Sequence, residues 1–245
     1  MSVDSSTGYY NVHQFLGKLI ARILCSMTLT ECDVSGEEYL DGLSRPYILV
    51  MNHCSHWDPV TVWAYFPDMV NFMVKEELHK VPSLGLMSRM AGNISVKREG
   101  ADVGAVKEAL KLVKKGYNLC VFAEGTRSID GRVQEFKEGA VNLASRLRVP
   151  VVPAYIHGMH TTLPRGGRLI RANRSHIHIL QPQLDCVDKK LNKEENGNAD
   201  FSSKLNLLTK TYWLPNATKA LYIKCCTLSI ANHLSFLLLI NFSLA

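Results

Sequence analysis

Between Val12 and Met27 the apolar residues fall at positions 12, 15, 16, 19, 20, 23, 24 and 27. This is the spacing of three and four that puts one apolar stripe on a helix. Lys18 and Arg22 occupy intervening positions. A helix of this length rises about 24 Å, short of a hydrocarbon slab of roughly 30 Å, so it would lie in a membrane interface and not cross it. Packing of the stripe on the domain's own core would satisfy it equally well. Residues 1–30 are assigned to an amphipathic membrane-interface helix, with core packing as the alternative.

Short apolar or β-branched runs bounded by turn residues follow, at Tyr47–Met51, Asn71–Val74, Asn93–Val96, Leu119–Ala123, Pro150–Ile156 and His176–Leu180, and they predict strands. Between them Val103, Val106, Leu110 and Val113 repeat at helical spacing ahead of Gly116, which predicts a helix with a glycine stop. Gly139–Leu147 is a second helix of this kind. Alternating strand and helix predicts an α/β domain over residues 31–185, with a mixed, largely parallel sheet flanked by helices. In such sheets sites form at the carboxyl ends of strands. Past Gln181-Pro182 the pattern stops. Asp188 to Ser203 is rich in Lys, Asn, Glu and Gly and reads as a solvated linker. The last clean apolar stretch, Leu234–Ala245, has 12 residues, too few to span a membrane. Residues 186–245 are therefore a linker and apolar tail.

A hydrophobic content of 47% with 20% charged residues excludes wholesale disorder and a polytopic membrane protein. The formal charge of +6 favours anionic partners without choosing among phospholipid, phosphorylated substrate and nucleic acid. Arg165, Arg168, Arg171 and Arg174 concentrate that charge but lack interleaved aromatics or a nucleic-acid-binding module, so they read as a basic face toward acidic lipid, with no nucleic acid partner. Seven cysteines, none in a C-x-x-C pair, read as reduced core thiols. The N-terminus has no secretory pattern, which places the chain on the side of the membrane where it was made, at a cytoplasmic face.

Two blocks carry candidate chemistry. Asn52-His53-Cys54-Ser55-His56-Trp57-Asp58 follows one strand and Glu124-Gly125-Thr126-Arg127-Ser128 another. On one continuous helix His53 and Asp58 would stand about 140° apart. If His53 instead precedes the helix, Asp58 reaches an imidazole nitrogen and fixes its tautomer. The plainer alternative is Asp58 as a helix cap ahead of Pro59. His56 offers a second imidazole, but no carboxylate or thiolate set completes a metal site. Ser55 lacks the G-x-S-x-G frame of a nucleophile and reads as a helix-start hydroxyl. Gly125 permits close backbone approach, Thr126 adds a hydroxyl, and Arg127 is suited to grip a phosphate with two parallel bonds, or else to form a surface pair with Glu124. Lys75 and the Lys97-Arg98 pair end neighbouring strands, where they serve as solvated cations or add to a phosphate-binding field.

Taken in order, the blocks resemble those of the PlsC-type glycerolipid acyltransferases, the lysophosphatidic acid acyltransferase family. Asn52-His53 with Asp58 is similar to the family's N-H-x4-D block and Gly92 with Arg98 to its second. Glu124 to Ser128 is similar to the third block and Val149-Pro150-Val151-Val152-Pro153 to the fourth. The similarity runs from about Val34 to about Pro182. Lys97 and Ala123 depart from the usual family residues beside Arg98 and Glu124. The resemblance implies transfer of an acyl chain from acyl-CoA or acyl carrier protein to the free hydroxyl of 1-acylglycerol 3-phosphate at a membrane surface, giving phosphatidic acid. It implies His53 as general base, Asp58 as its partner, and Arg98, Glu124, Gly125, Thr126 and Arg127 as acceptor-binding groups, with Lys75 as a weaker carry-over. No metal or cofactor is implied beyond the acyl co-substrate. Another lysophospholipid or glycerol 3-phosphate as acceptor, and a non-catalytic membrane-binding scaffold, are the competing expectations.

Overall fold

The structure, a computed structural model, describes residues 12–80, 88, 91–96, 103–137, 139–164, 166–167 and 169–182. Arg98 and the assigned linker and tail, 186–245, lie outside the described residues. In chain order the elements are α1 (Val12–Met27), β1 (Thr30–Ser35), a 3-10 turn (Glu37–Leu40), β2 (Ile48–Met51), α2 (Asp58–Tyr65), β3 (Val70–Lys75) and α3 (Glu76–His79). They continue with β4 (Ile94–Val96), α4 (Val103–Lys114), β5 (Asn118–Phe122), α5 (Gly139–Leu147), β6 (Val151–His157), a 3-10 turn (Met159–Thr161) and β7 (Asn173–Ile179).

The strands form one seven-stranded sheet in the order β1-β7-β6-β2-β5-β3-β4. Pairing is parallel except between β6 and β7, so the sheet is mixed and largely parallel, as the strand-helix alternation predicts. β2 lies between β5 and β6 and all four of its residues are buried, which accounts for its unbroken apolar sequence. Ile48, Val50 and Leu119 face one side and pack with Ala105, Ala109 of α4 and Leu143 of α5. Tyr47, Leu49, Met51 and Phe72 face the other, against Val62 of α2. Gly116, with φ of 85°, ends α4 as the sequence predicts. Gly116 N–H donates to the Val113 carbonyl and Tyr117 N–H to that of Leu112, at 2.9 and 3.1 Å, the paired bonds of a Schellman stop.

The sequence does not announce β1, Thr-Glu-Cys-Asp-Val-Ser. It is an edge strand whose Glu31 and Asp33 face solvent while Thr30 and Cys32 are buried. It pairs in parallel with β7 from Thr30↔Asn173 onward.

The α1 helix has the predicted bounds, but the face it turns inward is the one with small residues. Ala21 and Cys25 are 2% and 0% exposed and pack with Ala64 of α2, and a Cβ on Gly17 would stand 3.7 Å from the Trp63 ring. Gly17, Ala21 and Cys25 are four residues apart, a ridge low enough for two helices to approach closely. Lys18 and Arg22 also turn inward and hydrogen-bond the end of α2. Lys18 Nζ donates to the Phe66 and Pro67 carbonyls at 2.8 and 3.1 Å, and Arg22 Nε to that of Ala64 at 3.0 Å. These cations satisfy carbonyls at a helix C-terminus. Most of the apolar row points outward: Phe15 is 64% exposed and Met27 76%, with Leu16, Leu19, Ile20 and Ile23 also exposed. Packing of the stripe on the domain's own core is thus not what this fold does. Among the described residues no helix is long and apolar enough to cross a membrane.

Candidate active site

The ends of β2 and β5 are neighbours, so the two blocks emerge side by side at the carboxyl edge of the sheet. The first leaves β2 as an extended loop and enters α2 at Asp58. That loop removes the helical constraint: His53 Nδ1 stands 2.8 Å from Asp58 Oδ2. The same oxygen accepts the backbone N–H groups of Cys54 and Ser55 at 2.8 and 2.9 Å. Asp58 is fully buried. Its carboxylate therefore shapes the loop as well as orienting the ring, and the alternative of a mere helix cap falls short of these contacts. The ring is also held flat against Phe122, the last residue of β5, at a centroid distance of 4.2 Å and 16° between planes. With Nδ1 engaged by Asp58, proton acceptance falls to Nε2.

Two further bonds lock the blocks together. Ser128 N–H donates to the His53 carbonyl at 2.8 Å, and His53 N–H donates to Glu124 Oε1 at 3.1 Å. Asn52, buried at the end of β2, clips onto β6 through Nδ2 to the Ile156 carbonyl and Ile156 N–H to its Oδ1, at 3.0 and 2.8 Å. Ser55 is buried, donates to the Leu163 carbonyl at 3.1 Å and accepts Trp57 N–H at 3.1 Å, the work of a loop hydroxyl and not of a nucleophile.

Glu124 is 2% exposed. Burial pushes its carboxyl up to about 8, against hydrogen bonds from the His53 and Gln134 backbones that pull it down. A buried acid in this state keeps its proton near neutral pH. Its Oε2 is buried without a hydrogen-bond partner. His56 has its proton affinity lowered by burial first, then by Arg127 and by His53. The effect places the guanidinium and both imidazoles in one electrostatic neighbourhood. Gly125 turns the chain with φ of 67°, and a Cβ there would meet Lys137 Nζ at 3.1 Å. Lys137 thus lies over the Gly-Thr-Arg turn, anchored by its backbone N–H to the Ala123 carbonyl at 2.8 Å. It went unread in the sequence because it sits ten residues past Arg127. The signal was there in Phe136-Lys137, a buried aromatic next to a cation just ahead of α5.

Lys75 ends β3, the strand beside β5, and its ammonium pairs with Glu77 Oε1 at 2.9 Å. It reaches the right edge of the sheet with its charge already engaged by a neighbour. Thr126 and Arg127 are half-buried. Among the described residues no group of three His, Cys, Asp or Glu side chains could hold a metal ion. Cys25, Cys32, Cys54 and Cys120 are buried free thiols. Burial raises Cys25 and Cys32 to about 11, so these stay protonated and unreactive.

A half-buried imidazole braced by a buried carboxylate, beside a Gly-Thr-Arg turn at the carboxyl edge of a mixed sheet, is an arrangement within an α/β fold chemically suited to accepting a proton from a hydroxyl. The Acyltransferase family model matches residues 31–157, more than half of the chain, and the chain belongs to that family. It is 35% identical over 170 residues to the chloroplastic 1-acyl-sn-glycerol-3-phosphate acyltransferase BAT2 of Brassica napus, covering 69% of this chain and 48% of that protein. It is 32% identical over 142 residues to the alpha 1-acyl-sn-glycerol-3-phosphate acyltransferase of Bos taurus, covering 57% of this chain and 50% of the relative. The chain spans about half the length of these curated relatives. Its fold is similar to the crystal structure of the 1-acyl-sn-glycerophosphate acyltransferase PlsC from Thermotoga maritima. There the TM-score is 0.63 at 26% identity, with 79% of this chain and 76% of that one covered.

Proposed function

We propose that the protein transfers an acyl chain from a thioester, acyl-CoA or acyl carrier protein, to the free hydroxyl of 1-acylglycerol 3-phosphate, giving phosphatidic acid. The observation that carries this reading is the His53–Asp58 contact of 2.8 Å held against the Glu124–Ser128 loop by Ser128 N–H to the His53 carbonyl. His53 Nε2 takes the proton of the acceptor hydroxyl as its oxygen attacks the thioester carbonyl. Asp58 stabilises the imidazolium that forms, and the imidazolium returns the proton to the departing thiolate. The thioester is already activated, so deprotonation and alignment are the protein's chief tasks. The relatives' names favour 1-acylglycerol 3-phosphate over glycerol 3-phosphate or another lysophospholipid.

Arg127 is assigned to the acceptor phosphate, with Lys137 adding a second positive charge above the turn. Glu124 divides its oxygens: Oε1 holds the His53 loop, and Oε2, carrying its proton, donates to a phosphate oxygen. Arg98 is assigned to the same phosphate on the resemblance alone. The exposed row on α1 supports a membrane surface as partner. Full burial of a large apolar side chain supplies about 1.5–3 kcal/mol, and these partly exposed ones forgo a share of it that a lipid interface returns. The test is His53→Ala assayed by thiol release from acyl-CoA with lysophosphatidic acid: turnover should disappear with the fold intact, and full activity would refute the base assignment. Vesicle binding by the unaltered protein without thiol release, across a panel of acceptors and donors, would favour the scaffold.

A further inference from the structure

The exposed row of α1 continues past its last turn. Leu29 is 71% exposed, and its carbonyl accepts Asn173 N–H at 3.2 Å. Because β7 runs antiparallel to β6 and β1 runs parallel to β7, the starts of β1 and β7 lie at the same sheet edge as His53. The loop between β6 and β7 arrives there, and Leu169, 78% exposed, and Ile170 present apolar side chains to solvent on it.

This loop is tied to the site. Ser55 Oγ donates to the Leu163 carbonyl at 3.1 Å. Arg171 N–H donates to the Thr162 carbonyl and Gly167 N–H to that of Pro164, at 2.9 and 2.8 Å. Asn173 Nδ2 reaches the Gly158 carbonyl and Thr162 Oγ1 at 2.7 and 3.0 Å. Its charge is one-sided: between Glu138 and Asp185 the sequence has no Asp or Glu, while Arg165, Arg168, Arg171 and Arg174 fall within ten residues. Arg174 is engaged by Asp33 at 3.1 Å; Arg171 is exposed.

We propose that this loop, through Leu169, Ile170 and Arg171, is a second membrane-contact element, selective for anionic phospholipid, which seats the mouth of the His53 site on the bilayer. Leu169 and Ile170 enter the headgroup region and Arg171 meets lipid phosphate, the pairing of apolar and basic groups that interfacial elements use. Continuity with α1 through Leu29 and the lack of acidic residues in the loop's own sequence, with Glu31 and Asp33 of the adjoining β1 answered by Arg174, single out an anionic lipid surface as the occupant. The proposal rests on the membrane reading of α1, and the loop extends that contact to the active-site edge.

The test measures sedimentation of the full chain with phosphatidylcholine vesicles, with and without phosphatidylglycerol, for three variants: L169S/I170S, Arg171→Gln, and F15S/L19S/I23S on α1. Turnover on a monomeric short-chain lysophosphatidic acid controls for the site. The loop double variant should bind phosphatidylglycerol vesicles at least about tenfold more weakly, with monomer turnover unchanged. Arg171→Gln should lose about fivefold on those vesicles and nothing on phosphatidylcholine alone. Unaltered binding by both loop variants, alongside loss in the α1 variant, overturns the loop proposal and leaves the membrane reading standing. Absence of vesicle binding by the unaltered protein defeats both. Tighter binding to a DNA duplex than to the anionic vesicles also overturns it.

Discussion

Replacing Asp58 by Asn removes one charge while keeping the side chain's shape, which isolates the part that charge has in the proposed mechanism. Asp58 Oδ2 accepts from Cys54 N–H, Ser55 N–H and His53 Nδ1 within 2.8 to 2.9 Å. An Asn carbonyl can still accept the two backbone groups, so the loop should persist, at a cost of about 1–3 kcal/mol as charge-assisted bonds become neutral ones. On the proposed mechanism, the imidazolium formed during transfer fares worse. With charge centres about 4 Å apart and an effective dielectric near 20, the carboxylate is worth roughly 4 kcal/mol to it. That is about a thousandfold in kcat, at 1.4 kcal/mol per factor of ten. The assay is free-thiol release from acyl-CoA over a range of lysophosphatidic acid concentrations, with a thermal melt by circular dichroism. The expected result is kcat down by about 10^3, acceptor KM within a few-fold of the unaltered protein, and a cooperative melt. A folded Asp58→Asn variant within tenfold of normal kcat would refute the argument. A KM that rose in step with the fall in kcat would mean that the loop, not the charge, had been lost.

Glu124→Gln tests the buried acid by its pH signature. Because the folded carboxyl holds its proton up to about 8 against an ordinary 4.5, its contribution to stability is whole below 4.5. It declines as pH rises toward 8, by at most about 1.4 kcal/mol per unit. Melts of Glu124→Gln between about pH 5 and pH 8 should show a flatter profile, and a slope equal to that of the unaltered protein would refute the assignment. Asn52→Ala leaves the Ile156 N–H and carbonyl buried without their partner and should cost about 2–5 kcal/mol in denaturant titration; a loss below 1 kcal/mol, roughly one ordinary hydrogen bond, would contradict the clip. Ala21→Leu overfills the seam between α1 and α2 and should destabilise by about 1–3 kcal/mol. Ile23→Ser, on the exposed face, should leave the same melt within about 0.5 kcal/mol of the unaltered protein.

Much of the fold was written in the period of the apolar residues. The strand at Tyr47–Met51 and the glycine-stopped helix ahead of Gly116 were legible because they are buried on both faces or along one full stripe. What escaped was polar for a reason. In β1 and the first half of β7, Glu31, Asp33 and Arg174 face solvent, so their sequences do not read as apolar runs. The bounds of α1 were clear, but its orientation was not. Large apolar side chains dominate any helical pattern, while the buried seam is marked by Gly17, Ala21 and Cys25, whose smallness is the signal for close approach. Of the site, the His53–Asp58 contact could be anticipated once a loop separated the two. The bonds from Ser128 and Glu124 to the His53 backbone, and the approach of Lys137 to Gly125, depend on which strands lie side by side, and that order is set by long-range pairing.

The two blocks divide their labour in a way that spacing conceals. Asn52, Ser55, the Ser128 N–H and one oxygen of Glu124 spend their hydrogen bonds on the protein's own backbone, and Asp58 divides its own between two backbone N–H groups and the His53 ring. His53 is held at one ring nitrogen and on one face, while Thr126 and Arg127 remain half-buried at the turn. On the proposed mechanism this commitment to architecture gives the rigidity that a general base requires. A proton is transferred efficiently only across hydrogen-bond distance, so a ring that wandered by an ångström would lose more rate than any added substrate contact could restore. The stack on Phe122 and the bond to Asp58 fix the ring. The bonds to its backbone from either side fix the loop that carries it, and on the proposed mechanism the Gly-Thr-Arg turn after the neighbouring strand need only bring the acceptor hydroxyl to a base that is already in place.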